Sequence, residues 1–523
     1  MLRKRWIVWA VLAAALIPSA RLAWEFRDLP HFGYFHDDSI YLVTAKSLAE
    51  GRGYRILSFP GEPPQTKYPP LYPALLAAVW KFAPEFPRSL PWFLALSWAS
   101  YLLFLFACWG AFRKFGFGET ERAALTAAVA LTPVIAYYST ALMPDLLFCA
   151  VLLAALLAAE RTEPRWAALA GVLGGLAFLL KTLALPLAAT VPLWHLLQRR
   201  YRAAGAFLAA MTPFAAGWFA WVALYGETTS DLTTLYYTQY FRYHAAIGGW
   251  ENQALIAWKN LGHFFSEFGG LLVADLLSQG WGVHVARVLT AAAIAGVVRL
   301  ARAGKFTQYA LFGAAFFIQA LIWHYPPAER FLFSVAPLLI AGLYREISNL
   351  AGAIRRAWRS GEPTQGAAAA AFASLLLGLA TLAVARNQTT LWIHFPEINR
   401  QHRQLLASRQ ADYRWMAAHL NPGDRVLSYY DPVLYLYTGL QSCRLTINTI
   451  PFYREEMEKV RETVQSAPLF ARQRQMRYVY VTDGDFHAEL AAEERLRALR
   501  TLRRLEAFHP LHRSAHGAVY SLQ

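Results

Sequence analysis

Eleven apolar stretches separated by polar loops constrain this chain more than any other feature. A helix that crosses a bilayer needs about 20 mostly apolar residues, with about 17 as the lower limit. The sequence offers Trp6–Ala23, Leu90–Phe112, Ala123–Tyr138, Leu146–Ala159, Trp166–Leu180 and Leu183–Leu197, then Ala203–Tyr225, Val283–Val298, Gln308–Trp323, Phe331–Tyr344 and Ala367–Ala385. Tyr72–Phe82 is apolar but too short, and reads as a helix lying at the interface. At 56% hydrophobic residues the chain is too apolar for one soluble domain and matches an α-helical polytopic membrane protein. The basic start and the apolar run ending in Pro18-Ser19-Ala20 mimic a signal peptide, but with so many apolar segments behind it the run reads as an uncleaved first span.

The loops carry a second pattern. With Arg3, Lys4 and Arg5 inside, alternate loops hold Arg113, Lys114 and Arg122, then Arg161 and Arg165, then Arg199, Arg200 and Arg202. Further along they hold Arg299, Arg302 and Lys305, then Arg345, Arg355, Arg356 and Arg359. Lys and Arg gather in cytoplasmic loops, and an error of one span would invert every later loop. The regularity predicts eleven crossings, with the N-terminus in the cytoplasm and the C-terminus outside. It also accounts for the net charge of +16 without nucleic acid, for which no basic-aromatic run speaks. Cys108 and Cys149 lie in apolar stretches and Cys443 stands alone, so neither a disulfide framework nor a metal cluster is implied.

This orientation puts several polar features on one face: Asp37 and Asp38, Lys67, Asp145, the loop 226–282, and HYPPAER at His324–Arg330. Carboxylates beside hydrocarbon are costly unless they have work to do. The residues divide into a membrane part, 1–386, with outer loops 24–89 and 226–282, and a more ordinary, charged part, 387–523. The second part reads as a small extracytoplasmic α/β domain. Helices are expected over Arg403–Leu420, Asp431–Thr438, Glu455–Gln475 and Glu489–Leu505, and strands over Arg425–Tyr429 and Tyr478–Thr482.

The run HDDSIYLVTAKSLAEGRGY followed by KYPPLYPALLA resembles the start of polyprenyl-phosphate-sugar-dependent membrane glycosyltransferases of the GT-C superfamily. These include glycosyltransferase family 39, with the protein O-mannosyltransferases, and the aminoarabinose transferases. The matching positions are Asp37, Asp38, Tyr41, Ala45, Leu48, Gly51, Gly53 and Tyr54. Echoes follow in order: YSTALMPDLLF with Asp145, GGLAFLLKTLALPL with Lys181 where relatives carry Arg, AERFLFSVAPLLI with Arg330, and DPVLYLYTGL. The resemblance implies a GT-C fold and transfer of a sugar from a polyprenyl-phosphate donor to a lipid, glycan or protein acceptor in a bacterial inner membrane. Sugar, hexose or pentose, and acceptor stay open, although the Trp-, Tyr- and His-rich loop 226–282 is expected to help set the acceptor.

On that reading Asp37 is the catalytic base, and Asp38 is its neighbour, binding sugar hydroxyls or orienting the acceptor. Lys67, Lys181 and Arg330 offset the leaving phosphate, with His324 as a further donor and Tyr41, Tyr68 and Asp145 beside them. One working carboxylate predicts inversion, because retaining enzymes place two carboxyls ~5 Å apart across the sugar. Relatives differ in metal use. Asp37, Asp38 and Asp145 could form an oxygen-rich Mg²⁺ or Mn²⁺ site, but no obligatory metal is expected. Each residue also has a plainer reading. Asp37-Asp38-Ser39 could cap a helix over Ile40–Ala49, Asp145 could complement a helix dipole, Lys181 could snorkel and Arg330 could anchor at the interface. A transporter or lipid flippase, or a non-catalytic glycan-binding membrane protein, is the competing class. Transporters place polar sites near the midplane of repeated halves, whereas these acids sit at one surface and no repeat is visible.

Overall fold

The computed structural model describes residues 2–273, 280–323, 328–359 and 363–522. Among them five helical stretches are long and apolar enough to cross a membrane: Trp6–Glu25, Leu90–Lys114, Tyr201–Tyr225, Gly282–Arg302 and a run within Ala367–His419. Leu71–Phe82, Asp145–Ala159, Pro164–Leu180, Thr182–Leu197 and Thr307–Leu321 are apolar but shorter. Every expected apolar stretch falls on helix, yet several are divided, so length alone does not establish eleven crossings.

The divisions have local causes. Ala123–Tyr138 is two helices, Glu119–Ala130 and Pro133–Tyr138, because Thr132 precedes a proline and is extended, with ψ 117°. Phe331–Tyr344 is split between the turn Glu329–Leu332 and the helix Ala336–Arg359. The described residues of the loop 226–282 are largely helical, with Leu232–Thr238 and Tyr240–Leu272, the latter kinked at Gly249.

Small residues let the membrane helices touch backbone to backbone, as helices in lipid favour. A Cβ on Gly296 would stand 1.9 Å from the carbonyl oxygen of Gly342, and one on Gly342 would stand 2.2 Å from that of Ala293. These two contacts lock Gly282–Arg302 against Ala336–Arg359, the helix that begins just after Arg330.

The C-terminal residues form a layer on the membrane part. Strands β1 (Arg425–Ser428), β2 (Gln441–Cys443), β3 (Tyr478–Thr482), β4 (Phe508–Arg513) and β5 (Gly517–Leu522) make one sheet of order β2-β1-β3-β5-β4. The pairs of β1 with β2 and β3 are parallel; β5 runs antiparallel to both β3 and β4. The helix Asp431–Thr438 and strand β3 match the sequence reading residue for residue. The expected helix Glu455–Gln475 is instead Met457–Gln465 and Ala467–Gln473, with Pro468 in the first turn of the second. The helix expected over Arg403–Leu420 runs from Phe395 to His419. Strand β2 has three residues, β4 carries exposed polar residues and a proline, and β5 is buried along most of its length, so none shows the apolar-polar alternation of a strand.

The layer does not stand apart. Its Tyr430, Val433 and Tyr480 share one hydrophobic core with Ile40, Tyr72 and Phe104 of the membrane part. Ser442 donates its N–H to the Ser58 carbonyl at 2.7 Å, Phe86 and Tyr437 meet edge to face at 4.9 Å, and Arg403 pairs with Asp28. Replacing Gly342 with Val drives a side chain into the Ala293 backbone, an overpacking cost of about 1–3 kcal/mol. Thermal unfolding in detergent is expected to show a lowered midpoint for Gly342→Val, while Gly378→Val, at an open position, leaves it unchanged.

Candidate active site

The chain enters the site through a tight turn. His36 has φ 60° and ψ −49°, and the Asp37 N–H donates to the Phe35 carbonyl at 2.6 Å. This is the γ-turn of positive φ, a rare and strained conformation. The His36 side chain is held from two sides, its Nε2 2.9 Å from Asp431 Oδ1 and its Nδ1 3.3 Å from the Tyr236 hydroxyl, and Tyr237 in turn donates to Asp431 Oδ2 at 2.8 Å. Burial favours the neutral form of both His36 and Asp431. The helix Asp37–Ala49 starts immediately after, without a side-chain cap, so the capping reading of Asp37-Asp38-Ser39 does not describe this turn.

The two acids then point different ways, as successive residues of a helix must. Asp38 is 1% exposed and turned inward, accepting from the N–H groups of Gly33 at 2.9 Å and Ser39 at 2.6 Å. Burial raises its pKa to about 7 against the pull of those hydrogen bonds. Asp38 therefore does not line the site, and its expected contact with sugar hydroxyls is corrected: its carboxyl holds the turn together. Asp37 faces a cavity of about 300 Å³. Its Oδ1 accepts from the Tyr68 hydroxyl at 2.5 Å, and its Oδ2 lies 3.5 Å from Arg330. Burial works to raise its pKa, but Arg330, Lys67, the Tyr68 hydrogen bond and Lys181 outweigh it and hold Asp37 below the ordinary carboxylate range.

The same cavity is lined by Lys67, Lys181, Arg330 and Arg444. Lys67 sits after Gln65, whose side chain accepts from the Lys67 N–H at 2.9 Å and whose carbonyl accepts from Trp221 at 3.0 Å. Its ammonium lies 4.1 Å from the centre of the Tyr236 ring and 4.9 Å from those of Tyr68 and Tyr240. Each such contact favours a cation by roughly 0.5–1 kcal/mol. Even so, burial lowers the Lys67 pKa to about 8.

The other three cations have carboxylate partners. Lys181 donates to Asp145 at 2.7 Å, Arg330 faces Asp37, and Arg444 pairs with Glu489. Asp145 is 2% exposed and lies behind Lys181, which it orients. Tyr41 lines the cavity, with its ring 4.6 Å from that of Tyr68. His324 lies outside the described residues.

The possible Mg²⁺ or Mn²⁺ site at Asp37, Asp38 and Asp145 does not fit this arrangement. Asp38 is spent on backbone amides, Asp145 on Lys181, and among the described residues no three His, Cys, Asp or Glu side chains gather for a metal. Sequence reasoning missed His36, Tyr236, Tyr240, Arg444 and Glu489. His36 and Asp431 stand inside the HDDSIYLVTAKSLAEGRGY and DPVLYLYTGL motifs without a role there, whereas Arg444 and Glu489 sit in no motif at all.

Residues 66–323, just under half of the chain, match the model of glycosyltransferase family 87, where the resemblance above pointed to family 39. No curated protein matches the chain. Among solved structures, ArnT from Cupriavidus metallidurans bound to undecaprenyl phosphate is 13% identical, covers 99% of this chain and 98% of its own, and superposes with a TM-score of 0.54. The Archaeoglobus fulgidus oligosaccharyltransferase tethered to an acceptor peptide is 11% identical over 99% of this chain and 74% of its own, with a TM-score of 0.51. At these identities the structures establish a shared fold. The chain thus shares the fold of these two proteins over nearly its whole length and is similar to glycosyltransferase family 87 over residues 66–323.

Proposed function

We propose that this protein is an inverting glycosyltransferase that moves a sugar from a polyprenyl-phosphate donor to a lipid, glycan or protein acceptor at the outer face of a bacterial inner membrane. The observation that carries the reading is Asp37, an ionised carboxylate opening on a cavity walled by four cations. A carboxylate and a cluster of cations are what the reaction needs on its two sides. As the acceptor oxygen bonds to the anomeric carbon, its proton passes to Asp37 while the bond from that carbon to the phosphate oxygen breaks. A carboxylate of depressed pKa is a weak base, so the proton moves late, once bond formation has made the hydroxyl acidic. The departing phosphate gains charge and is met by preorganised cations, not by an acid. No step requires a metal, because the acids that would hold one are already engaged.

Charge counting refines the donor. Asp37 offsets Arg330, Asp145 offsets Lys181 and Glu489 offsets Arg444, leaving Lys67 as the uncompensated cation among these residues. One surplus positive charge matches the single negative charge of a phosphodiester-linked sugar. The eleven crossings, the inside N-terminus and the outside C-terminal part complete the proposal, supported by the basic loops.

Four measurements bear on this reading. Asp37→Asn is expected to lower the transfer rate by roughly 10²–10⁴-fold with donor binding retained; an unchanged rate removes Asp37 as the base. Transfer by the unaltered protein is expected to survive EDTA at full rate, and a loss reversed by Mg²⁺ or Mn²⁺ would restore a metal to the scheme. Lys67 is charged below its pKa of about 8 and neutral above it. Hence kcat/KM for the donor, which reports the free enzyme, is expected to fall as pH rises through about 8. In Lys67→Arg the same profile is expected to stay flat to about pH 10, and identical profiles would exclude Lys67 as the titrating group. The native cysteines are buried, so an impermeant maleimide is expected to label Ser466→Cys in intact spheroplasts and Arg356→Cys only after lysis; the reverse result inverts the topology.

A further inference from the structure

The C-terminal layer does not merely cover the cavity; it supplies part of its wall, and from a particular edge of its sheet. Tyr429 follows β1, Arg444 follows β2, and Glu489 lies in the segment after β3. These are the three mutually parallel strands of the sheet. In α/β sheets ligands bind at the carboxyl ends of parallel strands, and here that edge opens on the cavity that holds Asp37.

Tyr429, Arg444 and Glu489 form one unit. Arg444 donates through Nη2 to Glu489 Oε1, Tyr429 donates to Glu489 Oε2 at 2.7 Å, and the guanidinium lies 4.0 Å from the centre of the Tyr429 ring. Arg444 lines the cavity, and its Nε and Nη1 make no side-chain hydrogen bond among the described residues. Glu489 keeps a side-chain exposure of 18%. The unit is therefore a planar pair of free donors and remaining acceptor lone pairs beside an aromatic face. That combination suits vicinal hydroxyls on a sugar ring better than a phosphate, because the Arg444 charge is already balanced by Glu489.

Two contacts fix the unit relative to Asp37. The Arg444 N–H donates to the Tyr237 hydroxyl at 3.1 Å, which itself holds Asp431 and, through it, His36. Two residues before Glu489, His487 stacks on Tyr34 at 3.7 Å and lies 3.1 Å from the Tyr34 carbonyl oxygen. We propose that Tyr429, Arg444 and Glu489 form the subsite that binds the hydroxyls of the donor sugar, so that the C-terminal layer sets which sugar is transferred. This rests on the polyprenyl-phosphate reading of the cavity, whose phosphate falls instead to Lys67, Lys181 and Arg330.

The test compares two probes on the full-length protein in detergent. One is undecaprenyl phosphate, which lacks a sugar; the other is the tightest-binding member of a panel of undecaprenyl-phospho-hexoses and -pentoses. In Arg444→Lys and Glu489→Gln, affinity for undecaprenyl phosphate is expected to stay within twofold, which also shows that the site is intact. Affinity for the sugar-bearing donor is expected to fall about tenfold, and the order of preference across the panel to change. Equal losses for both probes would make Arg444 a phosphate ligand and overturn the proposal, as would unchanged affinity for both. If the unaltered protein binds neither probe, the polyprenyl-phosphate reading itself fails, an outcome distinct from the other two.

Discussion

The strained γ-turn at His36 is the constraint on which the site depends. A backbone conformation of this kind costs about 1–3 kcal/mol and persists only where its surroundings over-determine it. Here the surroundings are a fully buried Asp431 hydrogen-bonded to both His36 and Tyr237. Leaving a buried member of a neutral hydrogen-bonded pair unsatisfied costs about 1–3 kcal/mol, so the clamp is of the size needed to offset the strain it maintains. Its consequence is directional: the turn starts the helix Asp37–Ala49 at a point where Asp37 looks into the cavity and Asp38 looks into the loop. The clamp also draws on three distant parts of the chain, so the turn before Asp37, the segment after residue 226 and the C-terminal layer meet at one histidine.

Electrostatic economy is the second theme. A cavity with four cations in low dielectric would be costly if each were unpaired. Three of them have a carboxylate partner and the fourth is surrounded by aromatic rings, whose faces attract a cation without neutralising it. The pocket is thus held close to neutral while one titratable positive charge stays available. The same arrangement explains why Asp37 remains ionised despite its burial, and why Asp145, though it faces no open space, belongs to the site through Lys181.

Much of the fold was legible because its causes are local. Apolar length and basic loops marked the helices, and strand β3 and the helix Asp431–Thr438 were visible from residue type and turn signals. Asp37, Lys67, Lys181 and Arg330 were legible as candidates from their motifs, although Asp37, Lys181 and Arg330 also had a plainer reading as cap, snorkelling cation or interfacial anchor; the cavity they share is what joins them. The differing fates of Asp37 and Asp38 were not legible: two identical side chains in one motif differ only in which hydrogen-bond donors happen to surround each. Nor were Arg444 and Glu489, which follow different strands and are joined only when the parallel sheet brings those strand ends together.

The amino-acid order by itself marked this chain as a membrane protein, singled out its acids and cations within short motifs, and carried a resemblance to the GT-C superfamily, because hydropathy, charge distribution and short motifs are properties of contiguous residues. Which carboxylate meets the cavity, which cation is left uncompensated, and that the C-terminal layer completes the wall were decided only by the tertiary structure. Those outcomes depend on burial and pairing between residues as far apart as His36 and Asp431, and the energy of a charge is set by its neighbours in space, not by its neighbours in the chain.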